Sequence, residues 1–436
     1  MSIAFFSARR ARLMAQLPLN SVVVLPAASE ISRSRDTEFA FRQDSDFTYL
    51  SGFPEPDAWL ILQKSVTGDI SELLLCRPKD EFAEVWQGRR FGPEQAALQF
   101  GLPAIANTTL ATELLTALNQ KHTLVYSQGA YPQVDALVND TLATLRNYPK
   151  RGYIAPIQQL DLRPIIAELR LFKDEAEVAL LKQACQISAD AHAKAMQVCR
   201  PGMWEYQLEA TIRHHFAMQG ARECGYNTIV GGGENGCILH YTDNNAVLKD
   251  GDLVLIDAGC ELAGYSADIT RTFPVNGKFS QQQAALYQVV LAAQYAACAQ
   301  VKPGNTSKDT LAAAVRELTL GLIELGILQG EPAQLIADLA CKKYFIHGLG
   351  HWLGLDVHDV GAYKVNDSER PFEPGMVLTI EPGLYIPTGS DCDPKWWGLA
   401  IRIEDDLLVI KEGHLNLTDT VPKEISAIEQ LMASNA

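Results

Sequence analysis

The stretch Leu253-Val-Leu-Ile-Asp257-Ala-Gly259, followed by Tyr265-Ser-Ala-Asp268-Ile-Thr-Arg-Thr272, decides how this 436-residue chain is read. An apolar run delivers Asp257 into a small-residue turn, and Glu261 to Gly264 bring the chain back as the second strand of a hairpin. An aspartate after a strand is ordinarily a turn former or a helix cap. Here a second aspartate follows eleven residues later, and across a hairpin the two can face one another. Two unpaired carboxylates in a core repel and lose hydration at a cost of several kcal/mol, so a bound cation is the simplest compensation.

Three further residues extend the pattern. His351 lies in Phe345-Ile-His347-Gly-Leu-Gly-His351-Trp-Leu-Gly354-Leu-Asp356-Val-His358-Asp359, a glycine-spaced histidine cluster in an apolar context. Its His-xxx-His spacing is not that of a helical zinc peptidase, because position 348 is glycine where that motif needs glutamate and the glycines disfavour a helix. Glu381 follows Met376-Val-Leu-Thr-Ile380 and precedes Pro382, which favours an extended conformation at a strand end. In Leu399-Ala-Ile-Arg402-Ile-Glu404, period-two alternation puts Arg402 and Glu404 on one face; alone, that face reads as a solvated, salt-bridged strand. Four carboxylates and one neutral imidazole carry about −4, which balances two dications. The five residues Asp257, Asp268, His351, Glu381 and Glu404 therefore predict a two-metal hydrolase.

Composition bounds the alternatives. With 47% hydrophobic residues the chain can bury a large core, and its length favours two domains. A formal net charge of −15 disfavours nucleic acid and anionic membranes as partners. Arg9, Arg10 and Arg12 precede no long apolar run, so neither a secretory signal nor a transmembrane span is readable and the cytoplasm is the expected location. Nine cysteines without CxxC spacing argue against a disulfide framework and a zinc knuckle.

To about residue 172 the chain alternates strand-like runs (Ser21 to Leu25, Trp59 to Leu62, Glu72 to Leu75) with helical stretches (Pro93 to Phe100, Thr108 to Leu118), an α/β pattern. Pro149, Pro156 and Pro164 are expected to interrupt any regular element between Tyr148 and Leu171, which sets domains at 1–172 and 173–436. Asp174-Glu-Ala-Glu177 has capping-box spacing, and Leu181, Ala184, Ile187, Ala191 and Ala195 then recur at helical intervals up to Pro201-Gly202. Further helices are predicted over Gln281 to Val301 and Ser307 to Leu325, so that helices are twice followed by motif-bearing strands.

The ordered set Asp257, Asp268, His351, Glu381, Glu404 resembles the ligands of the pita-bread metallopeptidases. Within that superfamily, Gly231-Gly-Gly-Glu-Asn-Gly-Cys-Ile-Leu-His240-Tyr-Thr, Ile256-Asp-Ala-Gly-Cys-Glu to Thr272-Phe-Pro-Val-Asn-Gly-Lys, His347 to Asp359, and Ile380-Glu-Pro-Gly-Leu-Tyr385 are similar to the bacterial-type aminopeptidase P family over essentially the whole chain. The resemblance implies an α/β (α+β) fold with a smaller N-terminal α/β domain, then a pita-bread catalytic domain of two pseudo-symmetric αβ halves. It implies an aminopeptidase that releases the N-terminal residue before proline through a hydroxide bridging two metals. Asp268 and Glu404 would bridge the metals, Asp257 would complete the first and His351 with Glu381 the second.

By the same resemblance Glu381 would move the proton, His240 and His358 would donate to the carbonyl or oxyanion, and His347 and Arg402 would shape the proline subsite. A core strand with a satisfied imidazole is the bland reading of His240. Trp86, in Glu84-Val-Trp-Gln-Gly-Arg89, resembles the family tryptophan that reaches a neighbouring subunit's site as a substrate-binding residue, which implies a homo-oligomer, tetramer or dimer; the alternative is a local core aromatic. Oxygen-rich ligation suits manganese, with cobalt, zinc or iron as alternatives. Rival readings are a prolidase, restricted to dipeptides, and a non-catalytic pita-bread protein that binds peptides or histones. Relatives of that last kind lose metal ligands, and this chain retains all five.

Overall fold

The β-branched run Ser21–Pro26 is buried at every position and lies inside the first sheet of the computed structural model, which describes residues 3–434. The chain divides after Arg170 into two compact units, and this sheet belongs to the first. Its strand order is Ala104–Ala106, Ile70–Cys76, Trp59–Lys64, Ser21–Pro26, Thr123–Tyr126, Gln158–Asp161. Ser21–Pro26 runs antiparallel to Trp59–Lys64 and parallel to Thr123–Tyr126, so the sheet is mixed. A strand with no exposed position needs cover on both faces, which is why it reads as a continuous apolar run rather than an alternation. Val22, Val24, Ile61 and Leu124 pack with Leu114 and Leu118 of helix Leu110–Leu118 and with Val138 and Leu142 of helix Pro132–Asn147.

The expectation of no regular element between Tyr148 and Leu171 fails. Gln158–Asp161 adds the edge strand, and Arg163–Leu171 is a helix. Pro164 is its second residue, where the missing amide hydrogen would have had no intrahelical partner anyway.

In the second unit, helix Glu175–Val198 starts at Asp174 with the predicted capping box: the Asp174 side chain accepts from Ala176 and Glu177, and Glu177 reaches back to the Asp174 amide. Leu181, Ala184, Ile187, Ala191 and Ala195 are all buried, as their spacing requires. Helix Glu205–Met218 follows, then the antiparallel strands Ile229–Gly232, Leu253–Asp257 and Thr270–Pro274. The second half repeats the plan. Helices Gln281–Cys298 and Ser307–Glu324 pack together and precede the sheet Val377–Ile380, Asp405–Ile410, Gly413–Asn416 and the ribbon of Gly383–Ile386 with Leu399–Arg402. Among the described residues no helix is long and apolar enough to cross a membrane.

Candidate metal centre

Asp257 is the last residue of Leu253–Asp257 and pairs with Thr270 on the neighbouring strand. The returning strand is split rather than continuous. Cys260–Leu262 and Tyr265–Ser266 form a hairpin tip with Ala263 and Gly264 at positive φ, and the ladder resumes at Thr270, leaving Asp268 in the break. Gly259 makes the close crossing possible: a Cβ there would stand 1.7 Å from the Ala267 carbonyl oxygen. Glu381 follows strand Val377–Ile380, and its amide donates to Leu349 O at 2.8 Å, which aligns the His351 loop beside that strand. Glu404 sits between Leu399–Arg402 and Asp405–Ile410, where the chain passes from the ribbon to the sheet. It is 1% exposed, and Ile401, Arg402 and Ile403 are buried too, so the solvated-face reading of this segment is wrong.

These elements bring all five predicted ligands to one cleft of about 520 Å³. Asp268, His351 and Glu404 each offer a donor atom within 4.8 Å of the other two. His351 Nε2 lies 3.3 Å from Asp268 Oδ2 and 3.8 Å from Glu381 Oε1. The Tyr226 hydroxyl lies 2.5 Å from Asp257 Oδ1 and 2.6 Å from Asp268 Oδ1, so two carboxylates converge on a group with one proton to give. Arg402 Nη2 donates to Asp257 Oδ2 at 2.6 Å, and Thr270 Oγ1 donates to Glu404 Oε2 at 2.7 Å.

The electrostatics describe a cage built for cations. Burial, then repulsion from Asp268, Glu381 and Asp257, holds Glu404 well above the ordinary carboxylate range. Burial also raises Asp257, against the opposing pull of Arg402. Glu381 is pushed up to about 7 by burial, relieved only partly by His351 and Arg402. Burial alone would lower His351, but the hydrogen bond and charge of Asp268, with Glu381, push it up to about 9. Four carboxylates face one guanidinium and one imidazolium, a negative excess that divalent ions would remove. His351 Nδ1 donates to Trp352 O at 3.0 Å, so a dication that displaces the Nε2 proton would leave the tautomer a metal ligand requires. The donor set thus fits hard or borderline dications.

His240, His347, His358 and Arg402 line the same cleft. Arg402 Nη1 donates to Tyr385 Oη at 2.9 Å, and Tyr385 Oη is 2.8 Å from His347 Nε2. With His347 Nδ1 2.7 Å from Gly348 O, a neutral His347 completes this chain, and burial together with Arg402 lowers it to about 3. The His358 and His351 ring centroids are 4.2 Å apart. Burial and the neighbouring His351 lower His358. Trp86 is not among the cleft residues. It lies in the N-terminal unit on helix Glu81–Gln87, 75% exposed and 6.4 Å from the Phe82 ring, so it is no core aromatic.

Sequence reasoning missed several residues of the site. Tyr226 lies in the bend before strand Ile229–Gly232 and belongs to no ligand-like pattern. Thr270 was detectable: it stands two residues after Asp268, on the same face of an extended segment. Asp405 and Asp406 are buried behind the cage, where Asp406 Oδ2 accepts from the Asp268 amide at 3.0 Å and Asp405 Oδ1 pairs with Arg271 at 2.6 Å.

Comparison with known proteins identifies the family. Residues 179–411 match the model of metallopeptidase family M24, and residues 6–126 match the aminopeptidase P N-terminal domain. The chain is 46% identical over 430 residues to a Xaa-Pro aminopeptidase of Escherichia coli, covering 98% of this chain and 97% of that one. It is 45% identical over 428 residues to the Haemophilus influenzae Xaa-Pro aminopeptidase, covering 98% and 96%. Among solved structures, proline aminopeptidase P II of Yersinia pestis superposes with a TM-score of 0.97 at 48% identity, covering 99% of this chain and 100% of that one. The zinc-substituted E. coli aminopeptidase P in complex with product gives 0.98 at 46%, covering 100% and 99%. The chain belongs to metallopeptidase family M24 and carries an aminopeptidase P N-terminal domain ahead of its catalytic unit.

Proposed function

We propose that this chain is a Xaa-Pro aminopeptidase, releasing the N-terminal residue from peptides with proline in second place. The observation that carries the reading is the convergence of Asp257, Asp268, His351, Glu381 and Glu404 in one cleft walled by three further histidines and Arg402. Those five residues would hold two divalent ions, and the oxygen-rich donor set favours manganese. When bound, the ions acidify a water into a nucleophile near neutral pH and polarise the scissile carbonyl.

The remaining work falls to side chains. Glu381, held at about 7 before any cation adds its charge, takes the proton of the nucleophile and returns it to the leaving nitrogen. His240 and His358 donate hydrogen bonds to the carbonyl oxygen as it gains charge. A peptide bond to proline has no amide hydrogen, so recognition has to come from the ring and from acceptor groups. The neutral His347, fixed through Tyr385 by Arg402, forms one wall of that subsite.

Exposed Phe82, Val85 and Trp86 on one short helix support a homo-oligomer in which this face is covered. Nine unpaired cysteines suit a reducing compartment and support a cytoplasmic location.

The test is N-terminal residue release from Arg-Pro-Pro, with Gly-Pro as the dipeptide control, after chelation and after adding back manganese, cobalt, zinc or iron singly. Release from the tripeptide, lost on chelation and restored by a metal, is expected. No release with any metal would sink the reading, and strong preference for Gly-Pro would replace it with a prolidase.

A further inference from the structure

The segment that carries His240 into the cleft has little structure of its own: one 3-10 stretch, Gly233–Cys237, and turns beyond it. A carboxylate from another element holds it. Glu205, the first residue of helix Glu205–Met218, is 0% exposed. It accepts from the Gly232 amide at 2.8 Å, Asn235 Nδ2 at 3.0 Å, the Tyr241 hydroxyl at 2.8 Å and the Ala246 amide at 2.8 Å. Its own amide donates to Ala246 O at 2.9 Å. The donors come from both ends of the segment and from its middle, and Tyr241 is the neighbour of His240.

Glu205 therefore has its acceptor capacity filled by donors that all belong to the segment bearing one cleft histidine. One turn along the helix, Glu209 Oε2 accepts from Asn244 Nδ2 at 2.9 Å. Asn244 Oδ1 in turn accepts from the Val230 amide at 2.9 Å, with φ at 46°, a strained setting that persists only where the surroundings over-determine it. None of the groups bonded to Glu205 is a candidate metal ligand.

We propose that Glu205 is a positioning residue for His240, fixing the segment Gly232–Ala246 so that the imidazole meets the oxygen of the scissile carbonyl. The proposal rests on the reading of His240 as a donor to that oxygen. A donor helps only if it is already aimed where charge develops, and a misplacement of about 1 Å can cost on the order of 100-fold in rate. An amide or an alkyl group at position 205 cannot satisfy two backbone amides, an asparagine and a tyrosine together.

The experiment is a double-mutant cycle on the metal-loaded enzyme, with kcat and KM measured for a Xaa-Pro-Pro peptide in wild type, Glu205→Ala, His240→Ala and the double variant. Bound metal and the circular dichroism spectrum are recorded for each. Glu205→Ala is expected to lose about tenfold or more in kcat with KM changed by less than about twofold and metal retained, because the affected contact is made in the transition state. In the His240→Ala background the same substitution is expected to change kcat by less than about twofold, because the loss passes through the absent imidazole. A multiplicative loss in that background overturns the proposal, as does wild-type kcat in Glu205→Ala while His240→Ala is impaired. Wild-type kcat in His240→Ala overturns the donor role itself. Should Glu205→Ala not fold, Tyr241→Phe removes one of the four donors and is read through the same cycle: a loss in kcat that disappears in the His240→Ala background supports the proposal, and a loss that persists there, or no loss at all, overturns it.

Discussion

Glu381 concentrates the conflict that the site resolves with metal. Its carboxyl is raised from the ordinary range to about 7, so its contribution to stability is complete below about 4.5, where both states are protonated, and is lost as pH rises through 7. The span corresponds to roughly 3 kcal/mol. Stabilisation by manganese, measured as the difference in Tm with and without chelator, is therefore expected to grow from pH 5 to pH 8 and to grow less in Glu381→Gln. A difference that stays level with pH in the wild type would contradict this account. Asp268→Ala and Glu404→Ala should each abolish peptidase activity and lower bound metal, because each removes a donor from the cluster that would hold the ions; full activity in either variant, with metal content assayed by mass spectrometry, would falsify the assignment. At this scale much was legible: Asp257 and Glu381 follow apolar runs, Asp268 returns across a hairpin, His351 is glycine-spaced, and Glu404 gains its meaning only beside the other four. The hydroxyl of Tyr226 and the neutral state of His347 were not, since both depend on what lies opposite.

The elements explain why the carboxylates do not simply push the site apart. Arg271, 0% exposed, donates to Thr270 O at 2.9 Å, Glu404 O at 2.5 Å and Asp405 Oδ1 at 2.6 Å, tying Thr270–Pro274 to the passage between the ribbon and the second sheet. Burial would raise Asp405, yet Arg271 and Lys423 hold it well below the usual range, so its contribution is present above the unfolded carboxylate range and fades as pH falls. Arg271→Met should cost about 1–3 kcal/mol in urea unfolding, because Asp405 and the carbonyls of Thr270 and Glu404 each lose a buried donor while Lys423 still pairs the carboxylate. An unchanged urea midpoint in Arg271→Met would show that this guanidinium does not hold the passage together. Gly259→Ala tests the crossing between the aspartates. Its Cβ has to displace the Ala267 carbonyl, so a loss of about 1–3 kcal/mol together with weaker metal binding is expected. Unchanged metal affinity, measured by titration calorimetry, would mean that the spacing of Asp257 and Asp268 does not depend on this contact. The helices here were readable from their caps and spacing, whereas the break at Asp268 was not, because turn geometry and ladder register are settled by the partner strand.

Across the whole molecule, two units meet different demands. The N-terminal unit builds a mixed sheet around a fully buried strand, and the catalytic unit repeats a plan of two helices followed by antiparallel strands. On the first, Phe82, Val85 and Trp86 are 76, 80 and 75% exposed, a costly arrangement for a surface facing only water. Replacing Phe82 and Trp86 with serine is expected to lower the mass measured by light scattering while leaving the folded subunit intact. An unchanged mass would remove this face from any subunit contact.

The sequence by itself determined which residues could serve as ligands, where the long helices begin, and which family pattern the motifs follow, because caps, periodicity and strand-end acids are local properties. Tertiary structure decided which of those groups meet. Period-two alternation could not reveal that Ile401, Arg402, Ile403 and Glu404 are all covered, since burial on a strand's second face depends on elements distant in sequence. Nor could it reveal that Glu205 would reach across to hold the segment of His240: a buried carboxylate is stable only where its donors gather, and the fold gathers them.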